Sequence, residues 1–269
     1  MTKNIGFIGC GNMAKAMIGG IVPSKLYAPQ RIMVSNPSNP SLQYIRERFN
    51  VVTTNDNVKV AEFADILILS VKPNKYMHVI EKIKASVKQG TIIVSIAAGM
   101  SFETIEGYFG KEIKLIRSMP NTPAMVGEGM SALSRNKNVK EDDMAVAEQI
   151  FKAFGKVEVV EERLMDVVSG VSGSSPAFVY MFIEALADGA VLEGLPRDKA
   201  YKMAAQAVLG SAKMVLETGK HPGQLKDEVC SPGGTTIEAV YSLEKNGLRG
   251  SIIEAVKVCT EKSKAMGKK

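Results

Sequence analysis

The stretch NIGFIGCGNMA, Asn4–Ala14, decides the fold of this chain. It opens with a mostly apolar run that predicts a short buried strand, and the residues that follow it have the spacing of a helix. Between them stands a G-x-G-x-x-A sequence, which permits a tight turn, close approach of a ligand and helix-to-strand packing. Because free amides at such a helix start bind phosphates, we predict a dinucleotide site at Gly9, Cys10, Gly11, Asn12 and Met13. The alternative is a glycine turn that only joins strand to helix.

The alternation of strands and helices continues outward from this motif to about residue 160. Strand candidates are Asn4–Ile8, Arg31–Val34, Ile66–Val71, Thr91–Ile96, Lys114–Met119, Ser131–Ser134 and Val157–Val160. Helix candidates between them are Met13–Ile21, Ser41–Phe49, Lys75–Val87, Phe102–Phe109 and Asp142–Phe154, the last with Gly155 as its C-terminal cap. The pattern predicts an α/β domain, residues 1–160, with a Rossmann-like doubly wound sheet that binds NAD(P).

The strand signal ends at Glu162, and the rest of the chain predicts an all-α domain, residues 161–269. Its helix candidates are Pro176–Glu193, Arg197–Glu217, Thr235–Glu244 and Leu248–Lys264. The first of these is apolar on more than one face, which so small a domain cannot cover by itself. We therefore expect oligomerisation through the helical domain.

Composition excludes several classes of protein. With 269 residues and 45% hydrophobic composition, the chain is neither disordered nor fibrous. Three distant cysteines and two histidines predict a reduced, cytoplasmic protein without a structural metal. The net charge is +6, but the basic residues are interspersed with acidic ones, and aromatic residues make up 6% of the chain. Both observations argue against nucleic-acid binding. We expect no signal peptide, since a strand candidate begins at residue 4, and no membrane, since no apolar run reaches about 18 residues.

The ends of three strand candidates suggest further cofactor contacts. After the second strand come Ser35 and Asn36 in an SNPS sequence, with no acid before Glu47. An NAD site normally carries Asp or Glu there, so its absence favours NADPH. The sequence also suits an ordinary turn, so NADH stays possible. The other two ends carry the remaining candidates, which are Val71, Lys72, Pro73, Ala97 and Ala98. The small residues would let a cofactor approach closely, and Lys72 is suited to bind phosphate or ribose. The alternative is a solvated lysine in a routine turn.

A second motif, Cys230–Thr236, combines a proline, two glycines and three hydroxyls at the start of a helix candidate. Free amides there form an anion site that suits a small carboxylate. The alternative is plain helix capping by Ser or Thr.

These motifs together resemble the pyrroline-5-carboxylate reductase family, end to end. The matching segments are Gly6–Ala14, Asn57 with Asp65, Val71–Pro73, Met119–Pro123, Ser172–Ala177 and Asp227–Ala239. The last segment is the most specific. Two departures are Ser175, where glycine is frequent, and Glu228, where asparagine is frequent. Glu228 puts in doubt any cofactor contact at that position.

The resemblance implies reduction of 1-pyrroline-5-carboxylate to L-proline, the last step of proline biosynthesis. By resemblance, Ser231 and the amides of Thr235 and Thr236 hold the substrate carboxylate, beside Gly234. Thr236 then faces the ring nitrogen as the catalytic residue, Glu162 lies near the ring, and Asn57 contacts the cofactor ribose. The family also implies homodimers through intertwined C-terminal helices, often assembled into decamers, with each site lined by two subunits.

No strong acid stands in these motifs, since His78 and His221 lie outside them. We therefore expect solvent to protonate the imine, with Thr236 orienting the ring nitrogen. One alternative is a β-hydroxyacid dehydrogenase or related imine reductase, whose lysine-centred motif this chain lacks. Another is a non-catalytic NADP-binding regulator, in which the intact Ser231–Thr236 segment would be unexpected.

Overall fold

A computed structural model describes residues 2–267, and its contacts divide the chain into two units. The N-terminal unit comprises residues 2–174 together with 257–267, and the helical unit is Ser175–Val256. The last helix therefore begins in the helical unit and ends in the N-terminal unit. The predicted domain boundary at residues 160 and 161 directly follows the last strand and stays a prediction.

Within the described residues, eight strands form one sheet in the order β3-β2-β1-β4-β5-β6-β7-β8. They are β1 Ile5–Ile8, β2 Ile32–Ser35, β3 Val52–Thr54, β4 Ile66–Leu69, β5 Ile92–Ser95, β6 Lys114–Met119, β7 Gly129–Arg135 and β8 Gly155–Val159. The first six are parallel, β7 is antiparallel to β6, and β8 is parallel to β7. This arrangement confirms the doubly wound sheet, because the order 3-2-1-4-5-6 reverses direction between β1 and β4.

Helices cover both faces of the sheet. They are α1 Asn12–Ile21, α2 Asn39–Phe49, α3 Asn57–Phe63, α4 Tyr76–Ile83, α5 Phe102–Phe109 and α6 Glu141–Lys152. One buried cluster joins α1, α2 and α6 to the face that carries Phe7, and another joins α3, α4 and α5 to the face that carries Ile8. Because β1, β4 and β5 are buried on both faces, their sequences are apolar throughout except for Ser95 at the end of β5.

Three local features of the N-terminal unit differ from expectation. The strand β3 and the helix α3 were not predicted, since they have three and seven residues and no clear periodicity. The prediction of Gly155 as a helix cap was wrong, because α6 ends at Lys152 and Ala153 caps it. Gly155 instead opens β8, where a Cβ would collide with the carbonyl of Gly129. Glycine is required there by close packing of two backbones.

After β8 the described chain is helical, as predicted. Its helices are α7 Met165–Val168, a π-helical turn Ser169–Gly173, α8 Ser175–Leu192, α9 Arg197–Thr218, α10 Pro222–Val229, α11 Thr235–Lys245 and α12 Leu248–Met266. The eight-residue α10 was not predicted, since its segment reads as polar and begins with proline.

One helical run, Glu162–Leu192, is long and apolar enough to cross a membrane by length and composition alone. Glu184 and Asp188 interrupt this run, so the test does not contradict the expectation that no continuous apolar run reaches about 18 residues. Only 6% of its apolar window is buried within this chain, and Met181 is 69% exposed. Such a helix needs a cover that a single copy does not provide.

Candidate cofactor and substrate sites

The turn at Gly9 is held between the ends of two strands. Its φ of +105° favours glycine, and a Cβ there would lie 2.5 Å from the carbonyl oxygen of Ser70. The Gly9 N–H donates to the carbonyl of Ser35 at 2.9 Å. The Ser70 hydroxyl lies 2.8 Å from the carbonyl of Gly9. The turn is thus fixed to the carboxyl ends of β2 and β4, the edge where ligands bind in doubly wound sheets.

The start of α1 is open and suits an anion. Gly11 is exposed, and nothing lies within 4 Å of where its Cβ would stand. No side chain caps the N-terminus of α1, and its first turn contains no acidic residue. The first amides of α1 are therefore available to phosphate oxygens, with the positive end of the helix dipole behind them. These residues fit a dinucleotide pyrophosphate.

Cys10 stabilises the turn through its backbone N–H. Its side chain is buried, and burial raises the pKa of the thiol. Its N–H donates to Asn36 Oδ1 at 3.2 Å, and its Sγ lies 3.5 Å from the carbonyl of Ser41. The thiol thus faces the protein interior and is no candidate for redox chemistry with a ligand.

Neutral amides surround the end of β2. The Ser35 hydroxyl donates to Asn57 Oδ1 at 2.7 Å, which brings two predicted residues together. Asn55 Nδ2 donates to the carbonyl of Asn36 and to Asn39 Oδ1, each at 2.9 Å. Asn55 and Asn39 were not predicted, since their meeting depends on the unpredicted β3. Ser35 itself is fully buried and supports Asn57 from within, so the groups that remain for a ligand directly after β2 are side-chain amides.

A buried tyrosine joins the ends of β4 and β5. The Tyr76 hydroxyl donates to the carbonyl of Leu69 at 2.7 Å and lies 3.0 Å from Ser95 Oγ. Burial raises the pKa of Tyr76, so its hydroxyl stays neutral. The predicted residues follow these two ends, with Lys72 exposed and Ala97 and Ala98 half-buried.

Glu162 is part of an ion pair that was not predicted. Its Oε1 accepts from Arg117 Nη1 at 2.8 Å and from the Phe102 N–H at 2.6 Å. The Arg117 side chain is 8% exposed and that of Glu162 is 34% exposed. The pair ties the start of α5 to β6. The available signal was an arginine within the otherwise apolar strand KLIRSM, because a charge there needs a partner.

The Ser231–Gly234 segment of the helical unit forms a tight turn before α11. The Gly234 N–H donates to the carbonyl of Ser231 at 3.0 Å, and Gly233 has a φ of +66°. A Cβ on Gly234 would collide with Ser231 Oγ, so this hydroxyl lies directly beside the helix start. No side chain caps α11. This counts against plain capping and leaves the amides of Thr235 and Thr236 for an anion.

Neither histidine lies in these sites. His221 caps α10, where its Nδ1 accepts the Gly223 N–H at 3.0 Å, and His78 is exposed on α4. Across residues 2–267, no group of three or more His, Cys, Asp or Glu side chains is arranged to hold a metal ion.

Two family models match the chain. Residues 162–266 match "Pyrroline-5-carboxylate reductase dimerisation", and residues 4–99 match "NADP oxidoreductase coenzyme F420-dependent". Together they account for the helical region and for the part that contains the Gly9–Ala14 turn.

Full-length relatives agree with these matches. The chain is 50% identical over 268 residues to a pyrroline-5-carboxylate reductase of Escherichia coli, with 100% of both chains covered. It is 43% identical to that of Methanosarcina acetivorans, with 99% of both covered. Among solved structures, a pyrroline-5-carboxylate reductase from Coxiella burnetii has a TM-score of 0.93 at 37% identity and full coverage of both chains. The Plasmodium falciparum enzyme with NADP bound has a TM-score of 0.90 at 34% identity, covering 99% and 98%.

Proposed function

The chain belongs to the pyrroline-5-carboxylate reductase family, and on that premise we propose how its residues perform the NAD(P)H-dependent reduction of 1-pyrroline-5-carboxylate to L-proline. The chain is an oxidoreductase that acts on a C=N bond. The observation that carries the assignment of residues is the uncapped start of α11 beneath the Ser231 hydroxyl, beside full-length identity to the family.

We propose that the N-terminal unit prefers NADPH over NADH. The support is the neutral corner after β2, where a carboxylate that would repel the 2′-phosphate is replaced by Ser35, Asn36 and Asn57. Gly11, Asn12 and Met13 donate free amides to the pyrophosphate at the start of α1. Gly9 and Cys10, whose own N–H groups are already bonded, form the turn that lets it come close. Val71, Lys72, Pro73, Ala97 and Ala98 line the remaining length of the dinucleotide. When bound, the dinucleotide supplies a hydride.

In the helical unit, the Ser231 hydroxyl and the amides of Thr235 and Thr236 bind the substrate carboxylate at the turn that Gly234 closes. The Thr236 hydroxyl bonds the ring nitrogen and orients it, while solvent protonates the imine. Thr236 is suited to positioning rather than to acid catalysis, since a hydroxyl is a weak acid at neutral pH. We propose that Glu162 lies near the substrate ring, with Arg117 as its ion-pair partner.

The chain oligomerises, since residues 162–266 match a dimerisation model. We propose a homodimer built by the C-terminal helices, assembled further into a decamer, and a cytoplasmic location. The domain division at residues 160 and 161 fits this proposal, because the dimerisation match begins at residue 162.

The Thr236→Ala variant tests the catalytic assignment. We expect turnover with NADPH and pyrroline-5-carboxylate to fall by roughly one to two orders of magnitude, toward the lower end of the about 100- to 10,000-fold effect of general acid–base catalysis, because Thr236 only orients the ring nitrogen. The dissociation constant of NADPH, measured by fluorescence titration, should stay within about twofold of wild type, because the change lies in the substrate turn.

Thr236→Ser is the matched control, since serine keeps the hydroxyl and should restore most of the turnover. Unchanged turnover in Thr236→Ala would overturn the role of Thr236. If the wild-type protein binds NADPH tightly but does not reduce pyrroline-5-carboxylate, the result would instead favour the hypothesis of a non-catalytic NADP-binding regulator.

A further inference from the structure

The end of the last helix covers the loop that follows β5. Gly99 is buried with a φ of +72°, and a Cβ there would lie 3.0 Å from Met266 Cβ and 3.1 Å from both Gly267 N and Ser263 O. The contact is reciprocal, since a Cβ on Gly267 would lie 2.5 Å from the carbonyl oxygen of Gly99. Two glycines thus let one backbone rest on another.

The covering segment is itself anchored to the chain that follows β8. Ser263 is 4% exposed and its hydroxyl bonds Asp166 Oδ1 at 2.6 Å. One helical turn earlier, Cys259 Sγ lies 3.1 Å from Ser174 Oγ. These bonds fix the end of α12 on the α7 and π-helical segment, so Gly267 cannot move freely away from Gly99.

The far end of the same loop is held by a different contact. The loop ends at Phe102, whose N–H donates to Glu162 Oε1 at 2.6 Å. Glu162 and Asp166 belong to the same stretch of chain after β8. Both ends of the 97–101 loop are therefore connected to residues 162–174. One end is connected through the bond of Phe102 to Glu162, and the other through the last turns of α12, which contact Gly99 and bond Asp166 and Ser174.

We propose that the end of α12, residues 257–267, positions the 97–101 loop for cofactor binding, with Gly267 and Ser263 as positioning residues. The proposal rests on the proposed function, in which Ala97 and Ala98 contact the dinucleotide. Met100 anchors one part of this loop in the core, but Ala97, Ala98 and Gly99 carry at most a methyl group and depend on their neighbours for their place. The end of α12 supplies that support from the opposite terminus of the sequence.

Gly267→Ala is the direct test, because it adds one methyl group against the Gly99 carbonyl. We expect the dissociation constant and KM of NADPH to rise roughly three- to tenfold, which corresponds to about 0.7–1.4 kcal/mol of lost binding free energy. The melting temperature should change by less than about 2 °C, since the added methyl group meets the backbone of Gly99 and neither buried cluster loses a side chain. Gly107→Ala in α5 is the control, because nothing lies within 4 Å of its Cβ position.

Asp166 provides a second pair of variants. Asp166→Asn keeps the oxygen that bonds Ser263 and should bind NADPH as wild type does, whereas Asp166→Ala should weaken binding as Gly267→Ala does. A cofactor affinity within twofold of wild type in both Gly267→Ala and Asp166→Ala would overturn the proposal. Gly11→Val separates the two ideas, since unchanged NADPH binding in that variant would reject the cofactor site itself.

Discussion

Asn36 directly follows β2, at the place where an acid selects NAD in related folds. Its Oδ1 accepts the Cys10 N–H at 3.2 Å, so Asn36→Asp keeps this bond and adds a negative charge. A unit charge about 4 Å from a phosphate is repelled by about 4 kcal/mol at an effective dielectric of about 20. We expect kcat/KM for NADPH to fall at least about tenfold and that for NADH to change by less than about threefold.

Asn50→Asp is the matched control, because Asn50 ends the same helix α2 at its other terminus. It adds the same charge at the amino edge of the sheet, opposite the carboxyl end of β2, because β3 begins two residues later at Val52 beside Met33. The NADPH to NADH ratio of kcat/KM should stay unchanged. An equal loss with both dinucleotides in Asn36→Asp would show that the variant damages the turn rather than the choice of cofactor.

At the scale of the element, α6 shows how one carboxylate stabilises a helix start. Asp143 Oδ2 accepts the Lys140 N–H at 3.2 Å and pairs with Lys114 Nζ at 2.7 Å. Burial by itself raises the pKa of Asp143, but the Lys114 and Lys140 bonds outweigh it and hold this pKa below its usual value. The folded chain therefore binds fewer protons than the unfolded chain near pH 4, and the stabilisation, full at neutral pH, is lost as pH falls through the folded pKa.

Asp143→Asn should lower the free energy of unfolding at pH 7 by about 1–3 kcal/mol, the range for bonds to charged groups. The difference from wild type should shrink below about pH 4. Urea midpoints at pH 7, 5 and 3.5, at one protein concentration, measure it. Asp142→Asn is the control, since Asp142 is exposed in the same turn. A wild-type advantage that stays constant down to pH 3.5 would contradict the assignment.

Which elements the sequence predicts depends on whether their residues carry their own signal. The helix Phe102–Phe109 and the strand Lys114–Met119 were predicted with their observed bounds, because periodicity and caps are local. The strand Val52–Thr54 exists through its pairing with β2, which no local pattern encodes. The same limit applies to the sites. The glycine motifs can be recognised in the sequence, whereas the partner of Glu162 and the contact of Gly267 with Gly99 arise only when the chain folds.

At the scale of the whole molecule, the sequence predicted association because α8 has apolar residues on more than one face. The structure shows the same helix exposed in a single copy, with Tyr180 at 60% and Met181 at 69% exposure. Residues 162–266, which include α8, match a dimerisation model, and this match supports association. The number and the symmetry of the subunits depend on how whole protein surfaces fit against one another. A hydrophobic pattern in the sequence does not encode that fit.

Met181→Glu tests whether the exposed face of α8 is the surface that associates. Burying an unpaired carboxylate in an interface costs several kcal/mol, so we expect a shift to a smaller species in light scattering at micromolar concentration. The wild-type melting temperature should rise with protein concentration and that of Met181→Glu should not, because association stabilises the fold by mass action. Met77→Glu is the control, since Met77 is 63% exposed on α4 and lies outside residues 162–266. If Met181→Glu keeps the wild-type mass while Met77→Glu loses it, the association surface lies on the N-terminal unit and the proposed dimer is wrong.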